Sequence, residues 1–299
     1  MAAAKDKTVS VWGDKVHPKV RILGDGPPLV YLHGGYGPIE TELLDELAKG
    51  FTVYAPEHPG ITAGDEDSYK ALDDMWDLVL YYYDLFDKLG LKAPALVGHS
   101  FGGMIAGEIA ATDPTRVGKL VLISPLGLWR DDSPIRNYIV TPQTELPALL
   151  FKDQHHPSLK RITLNPEDQD GFIRITWALG CTGKFMWPIP DKGLRKRLHR
   201  IAAPTLIVWG KDDKLLPAVY ADEFRKGIPG AKVHLVADGA HMMPLEDPAQ
   251  LAATVAKFVK GWRAGVHHLR IGGVSNTSIQ DCRLTLVRGP LIVRANASG

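Results

Sequence analysis

Short apolar runs alternate with amphipathic stretches along most of this chain. Leu29 to His33 is an apolar run, stopped by Gly34-Gly35-Tyr36-Gly37-Pro38. Residues 39–49 then put Leu43, Leu44 and Leu47 on one face of a predicted helix, with Gly50 beyond its end. Phe51 to Ala55 reads as a second strand, stopped by Pro56, and 68–89 as a long helix ending before Gly90. Ala95 to Gly98 is a third strand, followed directly by a helix-like 101–112. Val117–Ser124, Thr205–Trp209 and Val233–Val236 read as further strands, and 217–227 and 247–262 as the helices after the last two. Val9–Trp12 and Lys19–Leu23 read as an antiparallel hairpin in front. Strands that are apolar throughout, rather than alternating, belong to a parallel sheet covered on both sides. The expected fold class is therefore α/β, with a mostly parallel central sheet and helices on both faces.

The rhythm breaks between the fourth and fifth of these sheet strands. Residues 129–203 are rich in proline and aromatics and are expected to form an inserted cap over the carboxyl edge of the sheet. The core is then 1–128 together with 204–262, and 263–299 is an extension beyond the last core helix. No internal repeat is evident.

Composition narrows the function classes. Charged residues are 23% of the 299 and the formal net charge is +1, which gives no overall electrostatic case for nucleic acid or an anionic membrane. The extension carries five Arg, no Lys and one acid, leaving the rest of the chain 30 basic against 33 acidic groups. The near-zero total thus averages a mildly acidic body and a basic appendix. Strand-like runs at 284–287 and 291–293 in that appendix suggest a hairpin that pairs with a sheet edge or with a second subunit in a homodimer; the competing reading is an appended segment with no role. Two cysteines, Cys181 and Cys282, make no disulfide framework and no zinc site. The amino-terminal residues are polar and no apolar run reaches the roughly 18–20 residues of a membrane span, so a cytoplasmic protein is expected.

The strongest chemical signal is Gly98-His99-Ser100-Phe101-Gly102-Gly103, a G-x-S-x-G entered from a strand and left by a helix. A serine hydroxyl is a weak nucleophile that must be presented to both base and substrate. A sharp strand-to-helix turn does this, and Gly98 and Gly102 leave room for the backbone crowded against it. His33-Gly34-Gly35-Tyr36-Gly37 follows an earlier strand. Backbone N–H groups of Gly34 or Gly35, paired with that of Phe101, are candidates to hold the oxyanion of a tetrahedral intermediate. The loop lacks the third glycine of a dinucleotide fingerprint, and His33 reads as a loop brace. The base must follow the serine, and His241, in Asp238-Gly239-Ala240-His241-Met242-Met243 after the last strand, is placed for it; His99 reads as packed. For the acid, Asp212 and Asp213 both follow the strand ending at Gly210. A three-residue loop brings Asp213 round toward His241, leaving Asp212 as a solvated or turn-capping neighbour. No His, Cys or acid spacing suggests a metal.

From about residue 8 to 262 the chain resembles the α/β-hydrolase superfamily, on His33-Gly34-Gly35, the turn at Ser100, Gly210-Lys211-Asp212-Asp213 and Gly239-Ala240-His241. The resemblance implies a Ser–His–Asp hydrolase, Ser100, His241 and Asp213, working through an acyl-enzyme without cofactor. Related carbon–carbon bond hydrolases usually carry Asn before the serine and Trp after the histidine; here these are His99 and Met242. The usual Asp-x-Pro-Gly-x-Gly is also altered, to Glu57-His58-Pro59-Gly60-Ile61-Thr62. The expected activity is a carboxylesterase on small to medium acyl esters, with Trp129, Trp177, Trp187 and Met242 expected in the substrate pocket. Carbon–carbon bond hydrolysis, perhydrolysis and non-catalytic ligand binding are the alternatives.

Overall fold

Every residue of Lys119–Ile123 and of Thr205–Gly210 is buried, which only a strand covered on both faces achieves. Side chains then divide by parity. Val30, Leu32, Leu96, Leu120, Leu122, Ile207 and Trp209 pack into one apolar cluster, and Leu29, Tyr31, Val97, Val121, Ile123, Leu206 and Val208 into a second. The structure is a computed structural model that describes residues 4–260. Its strands are β1 (Lys5–Thr8), β2 (Lys19–Leu23), β3 (Pro28–Leu32), β4 (Thr52–Pro56), β5 (Ala95–His99), β6 (Lys119–Ile123), β7 (Thr205–Gly210) and β8 (Lys232–Val236). They form one sheet in the order β1-β2-β4-β3-β5-β6-β7-β8. β1 and β2 are antiparallel, β2 joins β4 antiparallel, and every pairing from β4 to β8 is parallel.

Helices cover both faces. α1 (Thr41–Ala48) and α8 (Pro248–Lys260) close one side through Leu43, Leu47, Leu251 and Val255. α2 (Met75–Lys88), α3 (Phe101–Thr112) and α6 (Val219–Gly227) close the other through residues such as Tyr82, Phe86, Met104, Ile105 and Phe224. The expected long helix at 68–89 is in fact two pieces, a 3₁₀ turn over Glu66–Ala71 and then α2. Asp74 divides them, because its carboxylate accepts from the N–H groups of Trp76 and Asp77 and caps α2. The front hairpin also needs correction. Its outer strand is Lys5–Thr8 rather than Val9–Trp12, since positive φ at Trp12, Gly13 and Asp14 turns the chain there. β1 is exposed at all four residues, so it carries no apolar pattern to read.

Between β6 and β7 the chain makes its long excursion with no strand, through α4 (Leu146–Leu150), α5 (Gln169–Met186) and short 3₁₀ turns. Polar ties fasten it to the body. Arg197 pairs with the buried Glu108 of α3, Trp177 Nε1 donates to Gly60 O at 2.7 Å, and Lys184 Nζ donates to Tyr69 O at 3.0 Å. Two short pieces complete the description: α7 (Met243–Glu246) leads into α8, and Lys119 Nζ donates to Phe258 O near the end of α8 at 2.7 Å. No helix among the described residues is long and apolar enough to cross a membrane. The strand-like runs expected at 284–287 and 291–293 lie outside the described residues.

Candidate active site

β5 delivers Ser100 to a turn from which α3 departs at once, and the turn leaves Ser100 at φ +54°, ψ −114°. That backbone is strained for a residue with a side chain, by about 1–3 kcal/mol, and the surrounding fold must hold it there. The flanking glycines are obligatory in space. A Cβ on Gly98 would lie 2.3 Å from Gly102 O, and one on Gly102 would lie 2.1 Å from Leu32 O. The G-x-S-x-G spacing is therefore a packing requirement of strand, turn and helix crossing at contact distance.

Ser100, His241 and Asp213 converge from three separate loops. His241 Nε2 is 3.0 Å from Ser100 Oγ, and His241 Nδ1 is 2.9 Å from Asp213 Oδ2. The second oxygen of Asp213 accepts from the N–H groups of Leu215 (3.1 Å) and Leu216 (2.8 Å), so the carboxylate is fixed on both sides. An Nδ1–H held by Asp213 leaves Nε2 as the acceptor facing the serine hydroxyl. Burial holds His241 below its ordinary value of 6.5, opposed by the charge of Asp213. The neutral imidazole is thus the resting form at neutral pH. Asp212 is half-exposed and ion-paired with Lys152 at 3.4 Å, away from this arrangement.

The glycine loop after β3 is braced from beneath. His33 Nδ1 is 2.8 Å from Gly34 O, while His33 Nε2 accepts from His58 N at 3.2 Å. His58 returns the contact through Nε2 to His33 O at 2.9 Å, and its Nδ1 meets Tyr82 Oη. The altered Glu57-His58 sequence thus supplies the brace. Of the candidate oxyanion donors, Gly34 is corrected: its N–H is taken by Glu40 Oε1 at 3.4 Å. The N–H groups of Gly35 and Phe101 make no hydrogen bond to another described residue. Glu40 itself escaped the sequence reading. It is 2% exposed, its Oε2 accepts from Ile39 N at 3.2 Å, and its Oε1 lies 3.4 Å from His99 Nδ1. His99 Nε2 in turn donates to His241 O at 3.0 Å. Glu40 thus holds the glycine loop, and His99, packed beside it, holds the loop of His241.

Ser100, His241, Gly34, Gly35, Glu40 and His99 line a narrow cavity that also includes Tyr36, Tyr138, Leu215 and Met242. Trp129 and Trp187 line an adjoining apolar pocket instead. Trp177 lines neither, because its indole is committed to Gly60 O and stacks edge-on against Tyr69. Among the described residues no cluster of His, Cys and acids could hold a metal ion.

The alpha/beta hydrolase family model matches residues 29–254, which takes in the glycine loop, the turn at Ser100 and both loops carrying Asp213 and His241. Curated relatives include the acetyltransferase component of an acetoin-cleaving system from Cupriavidus necator, 29% identical over 87% of this chain and 70% of its own. A 2-hydroxy-6-oxononadienedioate/2-hydroxy-6-oxononatrienedioate hydrolase from Pseudomonas putida is 28% identical over 80% of this chain and 90% of its own. Among solved structures, naproxen esterase from Bacillus subtilis superposes with a TM-score of 0.66 at 18% identity, covering 86% of this chain and 92% of that one. The match to the family model spans strand, turn, helix and both carboxyl-edge loops, and on it the chain belongs to the alpha/beta hydrolase family.

Proposed function

We propose that this protein is a serine carboxylesterase acting on esters of small to medium acyl chain. The observation that carries the reading is the continuous line from Ser100 Oγ through His241 to Asp213, at 3.0 and 2.9 Å. His241 takes the serine proton as Oγ attacks the ester carbonyl, and Asp213 holds the imidazole's tautomer and steadies its charge. The N–H groups of Gly35 and Phe101 receive the oxyanion; one such donor is worth about 10²–10³ in rate. The alcohol leaves with the proton from His241, and water then cleaves the acyl-enzyme with His241 again as base. The cavity at Ser100 is narrow, with room for little more than a water-sized group beside the reacting atoms, which supports a short acyl chain.

Carbon–carbon bond hydrolysis is the second reading, favoured by the likeness to the Pseudomonas putida enzyme. A dioate substrate carries two carboxylates, whereas the cavity is lined by no lysine or arginine and does include Glu40. That charge pattern supports the neutral ester. The test is a fluorophosphonate probe followed by a panel of graded alkyl esters, amides and a vinylogous diketone. The expected result is an adduct on Ser100 and fastest turnover of short esters. Absence of the adduct, or preference for the diketone, would overturn the ester reading.

A further inference from the structure

Tyr138 stands on the border of two compartments. It lines the Ser100 cavity, and it also lines the apolar pocket formed with Leu126, Trp129, Ile135, Met186 and Trp187. The side chain is 5% exposed, and its ring lies 5.6 Å from that of Tyr36. Its hydroxyl is seated directly on the glycine loop, because a Cβ at Gly35 would lie 2.1 Å from Tyr138 Oη. Residue 35 must therefore lack a side chain for the tyrosine to stand there. The hydroxyl's other neighbours belong to α5: it donates to Met186 Sδ at 3.7 Å and lies beside Thr182. Neither partner is charged, so packing rather than a strong polar tie holds the ring.

We propose that Tyr138 is a specificity-determining wall between the Ser100 cavity and the apolar pocket, and that the pocket is the compartment for acyl chains that outgrow the first cavity. The proposal rests on Ser100 being the nucleophile. The cavity at Ser100 takes the reacting carbonyl and a short chain, while the pocket beyond is roomier and apolar along most of its wall. The ring stands between the two, at the one residue that both linings share. Displacing or removing the ring joins them.

The experiment compares wild type with Tyr138→Ala, Tyr138→Leu and Tyr138→Phe on p-nitrophenyl esters from acetate to decanoate. The readout is the ratio of kcat/KM for decanoate to that for acetate, which is independent of enzyme concentration. Tyr138→Ala raises this ratio at least tenfold, Tyr138→Leu raises it less, and Tyr138→Phe keeps it within threefold of wild type. Filling the pocket with Met186→Trp in the Tyr138→Ala background cancels the gain. An unchanged ratio in Tyr138→Ala, or a gain that survives Met186→Trp, overturns the proposal. Labelling with ethyl and long-alkyl fluorophosphonates separates the levels. Failure of the ethyl probe on wild type takes down the nucleophile and this proposal with it. Ethyl labelling without any gain for the long probe in Tyr138→Ala overturns the wall alone.

Discussion

Glu40 holds the N–H of Gly34 through its Oε1, at 3.4 Å, from inside the protein rather than from solvent. The same oxygen faces His99, whose far nitrogen holds the backbone carbonyl of His241. The carboxylate thus lies between the glycine loop and the ring that holds the loop of His241. Glu40→Gln keeps the shape and is expected to lower kcat several-fold with KM little changed. Glu40→Ala leaves the Gly34 N–H without its partner and is expected to cost about 1–3 kcal/mol of stability and roughly 10–100-fold in kcat. Steady-state kinetics together with thermal melts check both; a Glu40→Ala enzyme with wild-type kcat would remove the positioning role.

The acid limb of the reaction should belong to His241. Its protonation is disfavoured chiefly by burial, so it stays neutral down to a pH below 6.5. The pH profile of kcat/KM is expected to be flat at neutral pH and to fall tenfold per unit on the acid side, with its midpoint under 6.5. A midpoint above 6.5 would mean that Asp213 outweighs burial.

Stability should fall on the same side. His33, His58 and His241 are all held below their ordinary value, each mainly by burial, with the charge of His33 adding to the effect on His58. Between the folded and unfolded values the unfolded chain binds more protons, so stability rises with pH there. It is fully present above about pH 6.5 and is lost as pH falls through the folded values. Melting temperature against pH is expected to be level above 7 and to drop steadily below 6.5. A melting temperature that rises on acidification from 6.5 to 5.5 would contradict the burial argument.

Glu108 and Arg197 tie the excursion between β6 and β7 to α3. Glu108 is almost fully buried and takes two hydrogen bonds, from Arg197 Nε at 2.8 Å and Nη2 at 2.6 Å. Arg197 is about one-third exposed, which discounts the pair for solvent screening. Glu108→Ala is expected to cost about 1–3 kcal/mol in a denaturant melt. Limited proteolysis should also cut first within residues 190–200; an unchanged midpoint and cutting pattern would show that packing alone holds the segment.

Much of this site could be read from residue order because its parts are local. A glycine two residues before and two after Ser100, between a strand and a helix, encodes a turn that packing later explains. Asp213 and His241 each lie a few residues past a strand end, where a parallel sheet gathers its loops. Glu40 was hidden because a lone acid at a helix start reads as a solvated first-turn residue, and only the tertiary fold closes Tyr36, His99 and α1 over it. Trp177 was misplaced for a related reason. An aromatic residue on a cap helix announces a buried contact but not its direction, and this one is spent on Gly60 O and Tyr69. Tyr138 lies in an irregular stretch with no periodicity to orient it. The polar β1 has no apolar signature, and it is held to β2 by backbone hydrogen bonds and an Arg21–Asp6 ion pair at 3.3 Å.

The central claim rests on Ser100, and turnover by Ser100→Ala tests it most directly. The measurement is kcat/KM for p-nitrophenyl butyrate, with a melt on the same sample to establish that the fold is intact. Loss of a nucleophile in a serine–histidine–aspartate array typically costs on the order of 10⁶ in kcat. The account predicts a fall of at least 10³-fold with a melting temperature close to wild type. Turnover within tenfold of wild type in the folded variant would contradict it.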